Sequence, residues 1–297
     1  MCQIVYPSYL KGTIQVPASK SYMQRALVAS LLSEGTSRIY NPGFSNDDKH
    51  MIASIQNLGA TVNMETDSIS IQGGLRYPNE QINPGESGLG IRLLSPIAAL
   101  FDREIIITGE GSLRQRPMTK MEEALKNQGV ECITSQGNLP LKIKGPLKGG
   151  KITLDGSQGS QFLSGLLFAL PLSKQDSVIK VNNLQSKPYI DITLDILQKH
   201  KIHIERESYH TFYIPGNQTY SATEHHLEGD WSNGAFMLTA GVIHGDLKVK
   251  GLHPSSIQGD QKILEALSTA GATYMFQNDQ YKIKETKKLH SFTFDAT

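Results

Sequence analysis

The chain has 297 residues, enough for two domains with sizeable cores, and its charge is nearly balanced, with 29 Lys and Arg against 28 Asp and Glu. That balance argues against a general nucleic-acid binder, and an aromatic content of 7% leaves little for base-stacking platforms. No apolar run approaches the length of a membrane span, the opening MCQIVYPSYLKG lacks a signal-peptide pattern, and Cys2 and Cys132 give no disulfide framework, so a reducing cytosol is expected.

Four segments along the chain read alike. They begin at Ser21 (SYMQRALVASLL), Ser87 (SGLGIRLLSPIAAL), Ser160 (SQFLSGLLFALPL) and Ser232 (SNGAFMLTAGVIH). Each opens with an apolar helix preceded by small polar residues, followed by a short β-like run: SRIYN, EIIITG, SVIKVNN and DLKVKGL. A second, amphipathic helix comes next, such as MTKMEEALKNQG (118–129), ended by Gly or a substitute. Two strands then close the unit, as in TVNMET with SISIQG and ECITSQ with LPLKIKG. Equivalent positions at the ends of the second helices are Gly59, Gly129, Lys201 and Gly271, separated by 70, 72 and 70 residues. The predicted unit is therefore strand, helix, strand, helix, strand, strand.

Duplication for stability alone would produce such a repeat. The helix starts add a chemical reason, because they carry Lys20-Ser21, Ser87-Gly88, Ser160-Gln161 and Ser232-Asn233. A helix N-terminus presents unpaired N–H groups and partial positive charge, which favour anions. Units packed about a pseudo-symmetry axis would bring several such ends to one place, making an anion trap without net positive charge.

Four constellations carry candidate chemistry. In PASKSYMQRAL (17–27), Lys20 and Ser21 open a helix and Arg25 lies one turn further on the same face, suited to phosphate or carboxylate; the plainer alternative is an exposed cap with two solvated cations. In GSLRQRPMTKMEEAL (111–125), Arg114 and Arg116 precede Pro117, and Arg116 points just ahead of a helix start or lies in an exposed loop. In GSQGSQFLSGLLFALPL (156–172), Ser160 and Gln161 open a very apolar helix, where capping is the simplest role for Ser160. In QSKPYIDITLDIL (185–197), Ser186, Lys187 and Tyr189 flank Pro188, while Asp191 and Asp195 read as a solvated acidic face.

Other patterns are set aside. GPLKGGK (145–151) fits the first seven P-loop positions, but Ile152 stands where Ser or Thr is needed and a β-like run follows, so it reads as a turn before a strand. GESGLG (85–90) lacks dinucleotide-fingerprint spacing. His225-His226 lacks a ligand-partner pattern and reads as surface or loop histidines.

Taken in order, VPASKSYMQRAL, NDDKHM, RQRPM, GSQFL, QSKPYIDITL and EGDWSNGAF with QGD closely resemble the EPSP synthase family. The resemblance implies an α/β fold of repeated βαβαββ units, a pseudo-threefold inside-out α/β barrel with a second, incomplete domain. Residues 18–227 would form the upper domain of three units, and 1–17 with 228–297 part of the second. It implies transfer of the enolpyruvyl group of phosphoenolpyruvate to the 5-hydroxyl of shikimate 3-phosphate, with no metal or organic cofactor, in a cytoplasmic monomer with no nucleic-acid or membrane partner. Lys20, Ser21 and Arg25 would meet substrate phosphates and carboxylates, with Lys20 also catalytic. Gly88, Arg116 and Gln161 would contact phosphoenolpyruvate, and Ser160, Gln161, Ser186 and Tyr189 the shikimate moiety and its phosphate.

There are departures. Glu86-Ser87-Gly88-Leu89 stands where the family usually has Asn-x-Gly-Thr, and Glu86 is expected either to pair with Arg92 or Lys20 or to face outward. Gly159 stands where a serine contact is common. The sequence stops at SFTFDAT, and two further units with an Asp and a Glu for proton transfer are expected beyond it, so a chain that binds shikimate 3-phosphate without turnover is an alternative. The related transferase acting on UDP-N-acetylglucosamine ranks lower, because its reactive loop cysteine has no counterpart in GSLRQRPM.

Overall fold

The computed structural model describes residue 4 and residues 6–76 and 79–295; Cys2 and Thr297, on which two of the expectations above fall, lie outside them. By contact the chain forms two units, one of Lys20–Leu227 and one of residues up to Ser19 together with Glu228 onward. Ala18 and Ser19 go with the second unit, through a bridge from Ala18 to Gly229 and a Ser19 Oγ bond to Gln258 Oε1 of 3.1 Å.

Among the described residues the larger unit holds six α-helices: α1 (Lys20–Leu32), α2 (Asn46–Asn57), α3 (Gly88–Ala98), α4 (Thr119–Lys126), α5 (Gln161–Ala169) and α6 (Pro188–Lys199). It also holds three four-stranded sheets with one connectivity. In the second sheet Gln81–Ile82 runs parallel to Ile105–Ile107, which pairs antiparallel with Asn138–Lys144, which pairs antiparallel with Glu131–Ser135. The third repeats this with Gly150–Asp155, Ser177–Asn182, Thr211–Ile214 and Glu205–Glu207. The first sheet takes its leading strand, Glu224–His226, from the far end of the unit, so the third repeat returns to complete the first.

Local chemistry explains the elements. Burial alternates along Ser177–Asn182, the period of a strand with one face on a core. α2 starts at a capping box in which Ser45 Oγ accepts the Asp48 N–H and the Asp48 carboxylate accepts the Ser45 N–H. The residues after the second helices, Gly59, Gly129, Lys201 and Gly271, all have left-handed backbone, with φ of 114°, 77°, 65° and 90°. Lys201 thus takes the glycine's conformation. The apolar helices pack inward, α3 on α5 and α1 on α3 and α6. GPLKGGK is a turn leading into the strand Gly150–Asp155.

The smaller unit has α7 (Trp231–His244), α8 (Ile263–Thr269) and a sheet of the same connectivity: Leu10–Gln15, Gly245–Lys250, Gln280–Lys284 and Tyr274–Gln277. α7 begins at Trp231 rather than at Ser232, because the Asp230 side chain caps it by accepting the Asn233 N–H at 2.9 Å. Trp231 is buried edge-on to Tyr281, with ring centroids 5.5 Å apart. Gln258 ties this unit together: its Nε2 donates to Glu228 Oε1 and the Gly229 carbonyl, both at 2.9 Å. EGDWSNGAF and QGD are therefore joined by structural hydrogen bonds.

His225 is not a surface histidine. It is buried in the leading strand of the first sheet, and its Nε2 lies 2.8 Å from Nε2 of buried His200 at the end of α6. His200 Nδ1 is 2.9 Å from the Ser221 carbonyl, which only accepts, so Nδ1 carries the proton, His200 Nε2 accepts and His225 Nε2 donates. Burial pushes His200 down to about 4 and His225 to about 3, the latter helped by the neighbouring His200 and Lys199. The folded-state pKa values lie below the ordinary value, so the neutral pair's stabilisation is whole above pH ~6.5 and is lost as pH falls toward 4. Urea unfolding followed by far-UV circular dichroism is expected to show lower stability at pH 5 than at pH 7, by about a few kcal/mol. His225→Gln is expected to remove about half of that dependence.

Candidate active site

One cavity of about 500 Å³ in the larger unit is lined by Lys20, Ser21, Arg25, Gly88, Arg116, Ser160, Gln161, Ser186 and Tyr189. These nine candidate binding residues thus meet at one cavity, whereas Arg114, Lys187, Asp191 and Asp195 are not among its lining residues. The first turns of α1, α3 and α5 form much of the wall, and Ser186 and Tyr189 come from the start of α6.

Arg25 is the anchor. It is 1% exposed, against the alternative of a solvated cation. Its Nε donates to Thr193 Oγ1 (2.8 Å), its Nη1 to the Ser21 carbonyl (3.0 Å) and its Nη2 to Ser164 Oγ (3.4 Å), so it binds α1 to α5 and α6 through neutral acceptors. Its guanidinium carbon lies 5.8 Å from the Tyr189 ring centre. Burial without a carboxylate partner lowers its pKa to about 10.

Arg116 and Arg92 flank the start of α3. A Cβ added to Gly88 would sit 2.3 Å from Arg116 Nη1 and 3.2 Å from Arg92 Nη1, which measures how closely both approach the backbone. Arg92 Nη1 also donates to the Gly88 carbonyl at 2.8 Å. Burial, and then the nearby Arg116 charge, lower the Arg92 pKa. Among the described residues neither arginine makes an ion pair with a carboxylate. Lys20 does, with Asp47 Oδ2 at 3.0 Å. The lining therefore carries four cations, Lys20, Arg25, Arg92 and Arg116, against two carboxylates, Asp47 and Glu86.

The other polar groups are set by local structure. Ser87 caps α3, its Oγ accepting the Gly90 N–H (3.0 Å) and donating to buried Gln24 on α1 (3.2 Å). Ser160 precedes α5 but makes no side-chain cap bond, because its backbone is already helical (φ −87°, ψ −7°); it is among the residues that line the cavity. Ser186 holds a left-handed φ of 57°, unusual for a residue with a Cβ. Asp191 is no free acidic face: it accepts from Arg206 Nη1 (2.8 Å) and the Tyr209 hydroxyl (2.7 Å), and Asp195 pairs with Lys199 at 2.7 Å.

Sequence reasoning passed over Arg92, Asp47 and Gln158 as lining residues. Arg92 stands one turn after Gly88, the offset that separates Ser21 from Arg25, so its signal was present. Asp47 sits in NDDKHM, whose first turn faces Lys20 only through tertiary folding. Glu86 pairs with neither Arg92 nor Lys20; its Oε2 accepts the Ser112 N–H at 2.9 Å. Among the described residues no group of three or more His, Cys, Asp or Glu is placed to hold a metal ion, and no helix is long and apolar enough to cross a membrane.

The class these features define is an α/β repeat protein whose units present helix starts to a shared cationic cavity. A sequence model of EPSP synthase (3-phosphoshikimate 1-carboxyvinyltransferase) matches residues 4–295, and the chain belongs to that family. Among curated relatives, 3-phosphoshikimate 1-carboxyvinyltransferase of Clostridium perfringens is 40% identical over 273 residues, covering 91% of this chain and 64% of the relative. The enzyme of that name from Clostridium novyi is 35% identical over 305 residues, covering 99% and 70%. The solved EPSP synthase from Acinetobacter baumannii has the same fold, with a TM-score of 0.76 at 23% identity, covering 93% of this chain and 65% of that one. The chain thus spans about two thirds of the length of the curated relatives it matches.

Three guanidiniums without carboxylate partners predict stabilisation by anions. Inorganic phosphate at ~100 times its Kd is expected to add about 2.7 kcal/mol to unfolding stability, read as a rise in Tm. Arg92→Leu is expected to shrink that rise to less than half, and an unchanged rise would contradict the assignment.

Proposed function

We propose that this chain supplies the shikimate 3-phosphate site and part of the phosphoenolpyruvate site of a carboxyvinyl transfer reaction. The observation that supports this best is the convergence of Arg25, Arg92 and Arg116, none paired with a carboxylate, at the helix starts around one cavity. Shikimate 3-phosphate and phosphoenolpyruvate each carry a phosphate and a carboxylate. Fixed guanidiniums and helix N–H groups hold such groups without reorganising at the moment of reaction.

In this reading Ser160, Gln161, Ser186, Tyr189 and Arg25 hold shikimate 3-phosphate, while Lys20, the Gly88 backbone, Arg92, Arg116 and Gln161 hold phosphoenolpyruvate. The 5-hydroxyl of shikimate 3-phosphate attacks C2 of phosphoenolpyruvate as C3 gains a proton. The tetrahedral adduct then loses phosphate and restores the enol ether. Lys20, oriented by Asp47, sits at the anionic end and takes part in proton transfer. The reaction needs no metal or organic cofactor, and the protein works as a cytoplasmic monomer.

Cys132 weighs against the UDP-N-acetylglucosamine reading. It is fully buried in the strand Glu131–Ser135, and burial pushes its thiol up to about 12, far from a reactive loop cysteine.

Calorimetry with shikimate 3-phosphate and a phosphate-release assay on this chain test the proposal together. Binding with little or no release is the expected outcome, because the chain spans about two thirds of the length of its curated relatives. Release at an enzyme-like rate would give the chain the whole reaction, and absence of binding would remove the proposal. In the complete reaction, Lys20→Met is expected to lower kcat by at least 100-fold; normal turnover would take Lys20 out of the mechanism.

A further inference from the structure

The carboxylate of Glu86 is out of place by simple electrostatics. It lines a cavity whose other residues are mostly cations and hydroxyls, and a negative charge there opposes anion binding. It forms no ion pair with Lys20, Arg92 or Arg116. Its Oε2 instead accepts the backbone N–H of Ser112 at 2.9 Å.

Ser112 belongs to the short 3₁₀ turn Gly111–Gln115, and the first N–H groups of such a turn have no partner within it. The residue that precedes this turn, Glu110, makes no side-chain cap bond to it. Glu86 provides the missing cap from another loop. Gly111 has φ +46°, and a Cβ there would lie 2.3 Å from the Glu86 carboxyl carbon, so the carboxylate rests directly on the glycine. Two further bonds join the same loops: the Glu110 N–H donates to the Gly85 carbonyl (2.8 Å), and Asn83 Nδ2 donates to Glu110 Oε1 (2.7 Å). At the far end of the turn the Arg116 N–H donates to the Leu113 carbonyl (3.2 Å), Leu113 is fully buried, and Pro117 restricts the Arg116 backbone. Fixing Ser112 therefore restrains the backbone from which Arg116 reaches Gly88.

We propose that Glu86 is a positioning residue: its carboxylate caps the 111–115 turn and holds Arg116 over the start of α3. This rests on the reading above that Arg116 is an anion ligand. Aim and charge act in opposite directions, so two substitutions separate them. Glu86→Gln keeps an acceptor for Ser112 and removes the charge, whereas Glu86→Ala removes both. Gly111→Ala displaces the carboxylate and leaves it charged.

The test is calorimetry of phosphoenolpyruvate binding, at saturating shikimate 3-phosphate, to the parent chain and to E86A, E86Q, G111A and R116A, with amide hydrogen exchange at Ser112. E86A and G111A are expected to bind phosphoenolpyruvate about tenfold more weakly and to exchange the Ser112 amide at least tenfold faster. E86Q is expected to bind as tightly as the parent or tighter, with Ser112 still protected. E86A binding as tightly as E86Q would overturn the positioning role, because charge alone would then explain Glu86. R116A retaining full affinity would overturn the anion reading of Arg116 and the proposal with it; a weakened R116A beside an unaffected E86A sinks the positioning role alone.

Discussion

The burial of Arg25 among neutral partners is the constraint on which the larger unit depends. A guanidinium at the centre of α1, α5 and α6 has to be met by hydrogen-bond acceptors, and Thr193, Ser164 and the Ser21 carbonyl meet it. These bonds set how the three helices lie against one another. The start of α3 is tied to the same group by a further buried polar contact, from the Ser87 hydroxyl to Gln24 of α1 at 3.2 Å. A carboxylate at position 164 or 193 would satisfy Arg25 more fully, and it would also fill the charge that the cavity leaves available to a ligand.

Similar repeats therefore acquire different duties from a few side chains. The helix starts differ in detail: Ser87 caps while Ser160 does not, and among the starts of α1, α3 and α5 only that of α1 carries a lysine. Close by, burial and then the Arg116 charge disfavour the charged form of Arg92, a cost that a bound anion relieves. The His200–His225 pair lies away from the cavity and serves a different end, fastening the third repeat to the strand that completes the first.

Much of the fold was legible because its signals are local. Period-two strands, apolar helices and the 70-residue spacing of Gly59, Gly129, Lys201 and Gly271 need no tertiary information. The cavity was legible in outline, since Lys20, Ser21, Gly88 and Gln161 stand at helix starts and Arg25 a turn beyond. What could not be read were contacts made between distant segments. Asp47 meets Lys20 from another helix, Glu86 meets an amide 26 residues away, and His225 is buried against His200, 25 residues earlier. Ser160 was misread as a cap because the sequence shows a serine before a helix but not the helical backbone angle at which its side chain makes no cap bond.

The central claim is that separate helix starts act on one bound anion pair. Titrating shikimate 3-phosphate into the isotopically labelled chain and following backbone amide resonances by NMR tests it most directly. Concerted shifts in the amides of residues 20–21, 88–90, 160–161 and 186–189, saturating at a single ligand concentration, are what the account predicts. Shifts confined to one of these segments, or spread over surfaces remote from all of them, would contradict it.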